Sequence, residues 1–182
     1  MSDHIVVDVE IAKTVEEVGG WAHTELMGVG VAVVYEYRTD RFRVYGPGDV
    51  EALRERILRA ERITGFNIID FDYPVIFGLP RSYALPTALE REGKSNDILQ
   101  RIWGALGGHR GGWSLESVGL GTLGCAKSGE GAVAPLLFQS GHWARLVDYC
   151  IEDVRLTRDL GAFIDRYGFV VNRDEYVLRL RP

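Results

Sequence analysis

The chain has 182 residues, 46% hydrophobic and 26% charged, with a formal net charge of −5. That is the make-up of an ordinary soluble domain long enough to bury a real core. The first apolar run, Ile5-Val6-Val7, is cut by Asp8, and residues 29–35 form a stretch far too short for a bilayer. A signal peptide and a membrane span are therefore excluded, and a soluble, cytoplasmic protein is expected.

Residues 5–10 predict a short buried strand, β-branched up to its acidic end. Residues 11–24, with Gly19-Gly20 among charges, predict a loop or broken turn. Residues 26–37 and 41–45 predict a second and a third strand joined by a hairpin-like Arg38-Thr39-Asp40 connection. After Gly46-Pro47-Gly48, Asp49 is expected to cap a helix over 50–61, with Leu53, Ile57, Leu58 and Ala60 on its apolar side. Residues 63–69 read as a strand and 73–77 as the start of a helix; 78–95 should be loop. A helix over 98–106, a glycine-rich break at 107–112 and a helix capped by Ser114 follow, then a loop of small residues over 127–134. The strongest pattern is a helix over 142–167, where Leu146, Cys150, Val154, Thr157, Gly161 and Ile164 recur at spacings of three and four and Gly168 follows the end.

Three stretches carry chemistry. Asp8-Val9-Glu10 ends the first strand; residues two apart share a strand face, so both carboxylates aim at one place, an arrangement that is unfavourable unless a cation bridges it. Alone, it is equally well a solvated strand end. In Asn67-Ile-Ile-Asp70-Phe71-Asp72-Tyr-Pro74 an apolar strand runs into an Asp just ahead of a helix-starting proline. There Asp72 either caps the helix or faces the site beside Asn67. Tyr149 and Asp153 stand at i and i+4 on the last helix, one turn apart on one face.

Together these stretches resemble the DEDD 3′–5′ exonucleases of the ribonuclease H-like superfamily, tyrosine subgroup, and more narrowly the exonuclease domain of family B DNA polymerases. Asp8-x-Glu10 matches the family's first motif, Asn67-x-x-x-Phe71-Asp72-x-Pro74 its second and most specific, and Tyr149-x-x-x-Asp153 its third. The run from Ser114 to Gly124 is similar to the helix and Leu-Gly turn that precede the third motif. The resemblance covers about residues 5–165. It implies an α/β fold, a ribonuclease H-like mixed sheet of three antiparallel N-terminal strands and then parallel additions, flanked by helices. It implies one exonuclease domain over 1–182, with 170–182 a C-terminal extension packed on the domain or on a partner.

The resemblance further implies two Mg²⁺ or Mn²⁺ ions about 3.5–4 Å apart. Asp8 would bridge both, Glu10 and Asp153 would complete the ion that activates water, and Asp72 would help hold the other. Oxygen ligands suit these hard cations. A phenol titrates near 10, so Tyr149 would orient water and phosphate rather than act as a base. Single-stranded or frayed 3′ ends of DNA would be shortened to nucleoside 5′-monophosphates, with Asn67, Phe71, Leu26 and Met27 as substrate contacts. Trp21 and Trp113 are further stacking candidates. An exoribonuclease with the same site, or a non-catalytic nucleic-acid-binding or partner module, remains an alternative. With no polymerase domain expected beyond residue 182, the chain would act alone, as a homo-oligomer, or with a polymerase, helicase or nuclease partner.

Charge and the remaining polar residues fit around this core reading. Residues 1–80 carry a net −6 and residues 81–127 a net +2, so the acidity gathers around the first two motifs. Divalent ions would cancel it locally, although clamping of long duplex DNA by bulk electrostatics is disfavoured. Arg81, Lys94, Arg101, Arg110 and Lys127 supply the positive excess of the middle segment. Cys125 and Cys150 form no CxxC pair and lack a nearby histidine, which speaks against a zinc site and leaves both as small buried apolar residues. Asp97 is expected to cap a helix, His142 to sit exposed at a helix start, Glu152 to face solvent and Asp70 to lie peripheral to the site.

Overall fold

Strand β1 (His4–Ile11) organises the protein because both of its faces are covered. Ile5, Val7, Val9 and Ile11 point into one apolar cluster, while Val6 points into another on the opposite side together with the carboxylates of Asp8 and Glu10. The computed structural model describes residues 2–80, 89, 93–125 and 133–180. Within it β2 (Val29–Glu36) and β3 (Arg41–Tyr45) add antiparallel on one side of β1, and β4 (Arg62–Gly65) and β5 (Ser95–Asp97) add parallel on the other. The five-stranded order β3-β2-β1-β4-β5, flanked by helices, is the ribonuclease H-like α/β arrangement expected from the sequence.

One face is covered by α1 (Val50–Arg59) and α2 (Tyr73–Phe77), whose Leu53, Ile57, Tyr73 and Ile76 are fully buried against β1 and β2. Burial of each such side chain contributes about 1.5–3 kcal/mol. The other face is covered by α6 (Trp143–Tyr167), with Leu146, Cys150 and Val154 packed on Val6, Val31 and Val33. The positions in α6 expected to be apolar from their spacing are all buried, and Gly168 closes the helix in the left-handed conformation at φ 71. Gly161 lets this helix approach β4, since a Cβ there would lie 3.3 Å from Thr64 Cγ2.

Several local expectations need correction. The second strand begins at Val29, because residues 21–26 form a short 3₁₀ segment and Gly28 turns at φ 68. Leu58 is 42% exposed: the buried stripe of α1 runs through residues 53, 57 and 60, leaving 58 around the helix from it. Asp49 makes no side-chain cap to α1; its Oδ2 instead accepts from the Gly46 N–H at 3.0 Å and closes the preceding turn. The strand expected over 63–69 stops at Gly65, and Ile68–Asp72 is a turn of π-helix. The helix α5 (Ala134–Gln139), which the pattern did not reveal, precedes α6. Residues 81–88, 90–92 and 126–132, including Arg81, Lys127 and most of two expected loops, lie outside the described residues.

A third apolar cluster lies beyond the sheet, among α3 (Ile98–Leu106), α4 (Leu115–Leu123), the second half of α6 and a hairpin of β6 (Phe169–Val171) and β7 (Val177–Arg179). Val170, Leu178 and Leu180 place this last stretch on the rest of the chain. Contact is closest at Gly121, where a Cβ would fall 2.2 Å from the Asn172 carbonyl oxygen. Gly121→Ala is therefore expected to cost about 1–3 kcal/mol by overpacking, read as a lowered urea midpoint with an unchanged slope. Among the described residues no helix is long and apolar enough to cross a membrane.

Candidate active site

The carboxylates of β1 are aimed by an irregularity at its end. Glu10 pairs with Val31 but Ile11 with Val29, so β2 carries an extra residue, Gly30, opposite the junction. A Cβ on Gly30 would sit 3.0 Å from the Ile11 carbonyl oxygen and 3.1 Å from that of Glu10. The bulge bends the strand where the two acids face α6. There the ligand atoms of Asp8, Glu10 and Cys150 lie within 4.8 Å of one another. Cys150 Sγ is 3.5 Å from Asp8 Oδ2, and burial together with the charges of Asp8, Glu10 and Asp153 pushes its thiol well above the usual range. Its burial matches the sequence expectation; its place beside two acids does not follow from any spacing in the sequence. Cys125, by contrast, is exposed, against expectation.

Asp72 reaches the same place through the π-turn. Gly65 sits so close to Ile68 that a Cβ would meet its Cγ2 at 2.0 Å, and Asn67 adopts a left-handed φ of 70. Single π-turns redirect side chains and recur at functional sites. The turn is held by Asp97, whose Oδ1 accepts from the N–H groups of Asn67 (2.9 Å), Leu99 (3.0 Å) and Gln100 (3.2 Å) and whose Oδ2 accepts from Ile69 (3.0 Å). Asp97 is the N-cap expected for α3 and, beyond that, a clasp on the second motif. Burial lifts its carboxyl above the ordinary value against the pull of those four amides. Asp70 turns the other way and accepts from Gln100 Nε2.

The two arms and helix α6 meet at a cavity of about 700 Å³. Its wall contains Asp8, Glu10, Asn67, Phe71, Asp72, Tyr149 and Asp153, drawn from three segments far apart in sequence. Asp72 and Asp153 are each 2% exposed. Burial, then the charges of Asp8 and Asp97, raise the Asp72 carboxyl well above its usual value of 3.8. Asp72 Oδ1 and Asn67 Oδ1 are buried without a hydrogen-bond partner among the described residues. A buried acid with an unsatisfied oxygen next to a second acid is costly by itself and is relieved by a hard cation. The residues present thus suit a divalent ion held by oxygen.

Two expected substrate contacts lie elsewhere. Met27 is fully buried beneath the sheet face and Leu26, though 52% exposed, does not line the cavity. Both follow from the late start of β2. Trp21 at 68% exposure does line it and lies 6.3 Å from Phe71, ring centre to ring centre. Phe66, Pro135 and Leu136 complete an apolar mouth that no motif marks. Thr14, Val15 and Glu16 line the same wall from a loop braced by Gln139, which donates to Glu17 and to the Ala12 carbonyl. Trp113 packs in the third cluster, and His142 and Glu152 are exposed.

Among solved structures, the chain is similar to the family B DNA polymerase from the hyperthermophilic archaeon Pyrobaculum calidifontis, with a TM-score of 0.60 at 16% sequence identity. The match covers 90% of this chain and 24% of the polymerase chain, so the likeness is one of fold over a part of that larger protein. No family model and no curated protein matches the sequence.

Proposed function

We propose that the protein is a metal-dependent 3′–5′ exonuclease acting on single-stranded or frayed DNA ends. The observation that carries this reading is the convergence of Asp8, Glu10, Asp72, Tyr149 and Asp153 on one cavity from three separate motifs. Asp8, Glu10, Asp72 and Asp153 would hold Mg²⁺ or Mn²⁺, which when bound lowers the pKa of water and stabilises a departing oxygen. The protein's own residues do the rest. Tyr149, at the cavity wall, orients the attacking water and the scissile phosphate, and being a phenol it takes no proton at neutral pH. Phe71 and Trp21 offer faces on which the terminal base stacks once it leaves its neighbour, worth about 1–3 kcal/mol per base. Phe66, Pro135 and Leu136 give that wall an apolar rim.

The test is digestion of strands labelled at the 5′ end, with Mn²⁺, comparing DNA with RNA and a blocked 3′ terminus with a free one. Stepwise shortening only from a free 3′ end is expected, with loss of activity in Asp8→Ala and Asp153→Ala at unchanged circular dichroism. Shortening that ignores the 3′ block, or survives both substitutions, overturns the reading; the better-cleaved sugar type identifies the substrate.

A further inference from the structure

No zinc pattern is visible in the spacing of the cysteines, yet folding sets a sulfur atom among the carboxylates. Cys150 of α6 is 0% exposed and packs with Val6, Val31 and Val33, where it would pass for an ordinary small core residue. Its remaining neighbours are not apolar. Cys150 Sγ is 3.5 Å from Asp8 Oδ2 and 3.6 Å from the Asp8 carbonyl oxygen. Ligand atoms of Asp8, Glu10 and Cys150 all lie within 4.8 Å of one another, the one such group of metal-binding side chains among the described residues. The two carboxylates line the cavity and Cys150 does not, so an ion entering by the cavity meets oxygen before sulfur.

The separations suit a metal centre of mixed donors. With Zn–S of about 2.3 Å and Zn–O of about 2.1 Å, a tetrahedral zinc ion sets sulfur and oxygen ligands about 3.6 Å apart. Cys150 Sγ and Asp8 Oδ2 already stand at 3.5 Å. Asp153, three residues further along α6, or a water would take the fourth position. A second, independent sign of a cation comes from Asp72 on the same cavity wall. Its Oδ1 is buried without a hydrogen-bond partner among the described residues. Hard ions such as Mg²⁺ and Mn²⁺ would use only the oxygens and pass the sulfur by. A thiolate is the ligand that soft and borderline ions select.

We infer that Cys150, Asp8 and Glu10 form a sulfur–oxygen site for a thiophilic divalent cation such as Zn²⁺ or Cd²⁺, in competition with the hard ions. As the protein stands, the thiol donates to Asp8, and burial with the charges of Asp8, Glu10 and Asp153 keeps it protonated. On binding, the S–H bond breaks as the sulfur–metal bond forms, and the proton passes to solvent. The site adds a competitor for the cation of the proposed function. It rests on that reading only for its effect on hydrolysis, which such an ion would inhibit by taking Asp8 and Glu10.

The test uses the full chain carrying Cys125→Ser, since Cys125 is exposed and would bind a probe ion by itself. Cd²⁺ is titrated in, and a sulfur-to-metal charge-transfer band in the ultraviolet reports thiolate ligation without any need for hydrolysis. One equivalent is expected to bring the band to full height. Adding Cys150→Ser should abolish it and weaken Cd²⁺ binding by more than the about 10–100-fold that loss of an outer-shell partner costs. Mn²⁺ affinity, measured by calorimetry, should move far less. Glu10→Gln keeps the sulfur, should weaken Cd²⁺ binding, and decides the matter if the serine variant fails to fold. No band at saturating Cd²⁺, a band that survives Cys150→Ser, or Cd²⁺ affinity unchanged in Glu10→Gln overturns the inference. Equal weakening of Mn²⁺ and Cd²⁺ by Cys150→Ser makes Cys150 a prop for Asp8 and overturns it as well. Digestion is scored separately: the band without digestion upholds this site and removes the nuclease reading, and digestion without the band does the reverse.

Discussion

Asp72→Asn is expected to lower hydrolysis on the order of 10³-fold, about 4 kcal/mol of transition-state stabilisation, while raising the stability of the metal-free protein at pH 8. The two effects share one cause. Asp72 is buried at 2% exposure, and burial with the charges of Asp8 and Asp97 lifts its carboxyl well above 3.8. The folded state therefore binds a proton that the unfolded state has released, so this group's contribution falls as pH rises from about 3.8 through the folded value and stays low above it. An amide carries no such penalty, and the variant's advantage should shrink as acid protonates the wild type. Glu36 runs the opposite way: despite burial, bonds from Arg56, Arg43 and Thr39 hold it below 4.5, and its stabilisation is lost in acid. The difference between variant and wild type cancels Glu36 and leaves Asp72. Urea midpoints at pH 8 and pH 5, with and without Mn²⁺, measure it. Mn²⁺ should stabilise the wild type and reverse the ranking. A variant that is less stable than wild type in EDTA at pH 8, or that turns over normally, would remove Asp72 from the role given to it.

The largest loss of stability is expected from Asp97→Ala, about 4 kcal/mol or more. Its carboxylate accepts four backbone N–H groups, and alanine would strand them in the interior, where each unsatisfied donor costs about 1–3 kcal/mol. Asparagine separates clasp from cap. Its carbonyl in the Oδ1 position keeps Asn67, Leu99 and Gln100, but its NH₂ group confronts the Ile69 N–H. Asp97→Asn should thus lose only about 1–2 kcal/mol yet loosen the π-turn that aims Phe71 and Asp72. The expected signature is a fall in kcat and in Mn²⁺ affinity larger than the modest stability change implies, at substrate KM near that of wild type. Equal behaviour of the asparagine variant and wild type would confine Asp97 to helix capping.

The sheet and the three motifs were legible because they rest on short-range rules. Alternation in residues 5–10 and a sustained 3.6-residue period in 142–167 are properties of a single strand and a single helix. The strand order could be anticipated from the resemblance, and the likeness to a polymerase is likewise one of fold. What escaped the sequence depended on contacts between segments. The π-turn at 68–72 reads as a continued apolar strand because Ile68 and Ile69 are β-branched; the bonds that Asn67 and Ile69 donate to Asp97 and the close approach at Gly65 join it to distant parts of the chain. Met27 reads as part of an exposed strand end until Gly28 turns the chain and drops it into the core. Cys150 looks like filler in a helix, and its place beside Asp8 is set by how α6 lies across β1.

Strand β1 also divides labour by parity. Val7 and Val9 are 1% and 4% exposed and hold the hydrophobic interior, whereas their neighbours Asp8 and Glu10 turn to the carboxylate cavity. Damage at odd numbers along this segment should register as unfolding, and damage at the two acidic even numbers as silence in a protein that still melts cooperatively. Two interleaved tolerance profiles would thus be written along eight consecutive residues, and a slip of register by one position would exchange them, sending charge into oil and valine into the cleft.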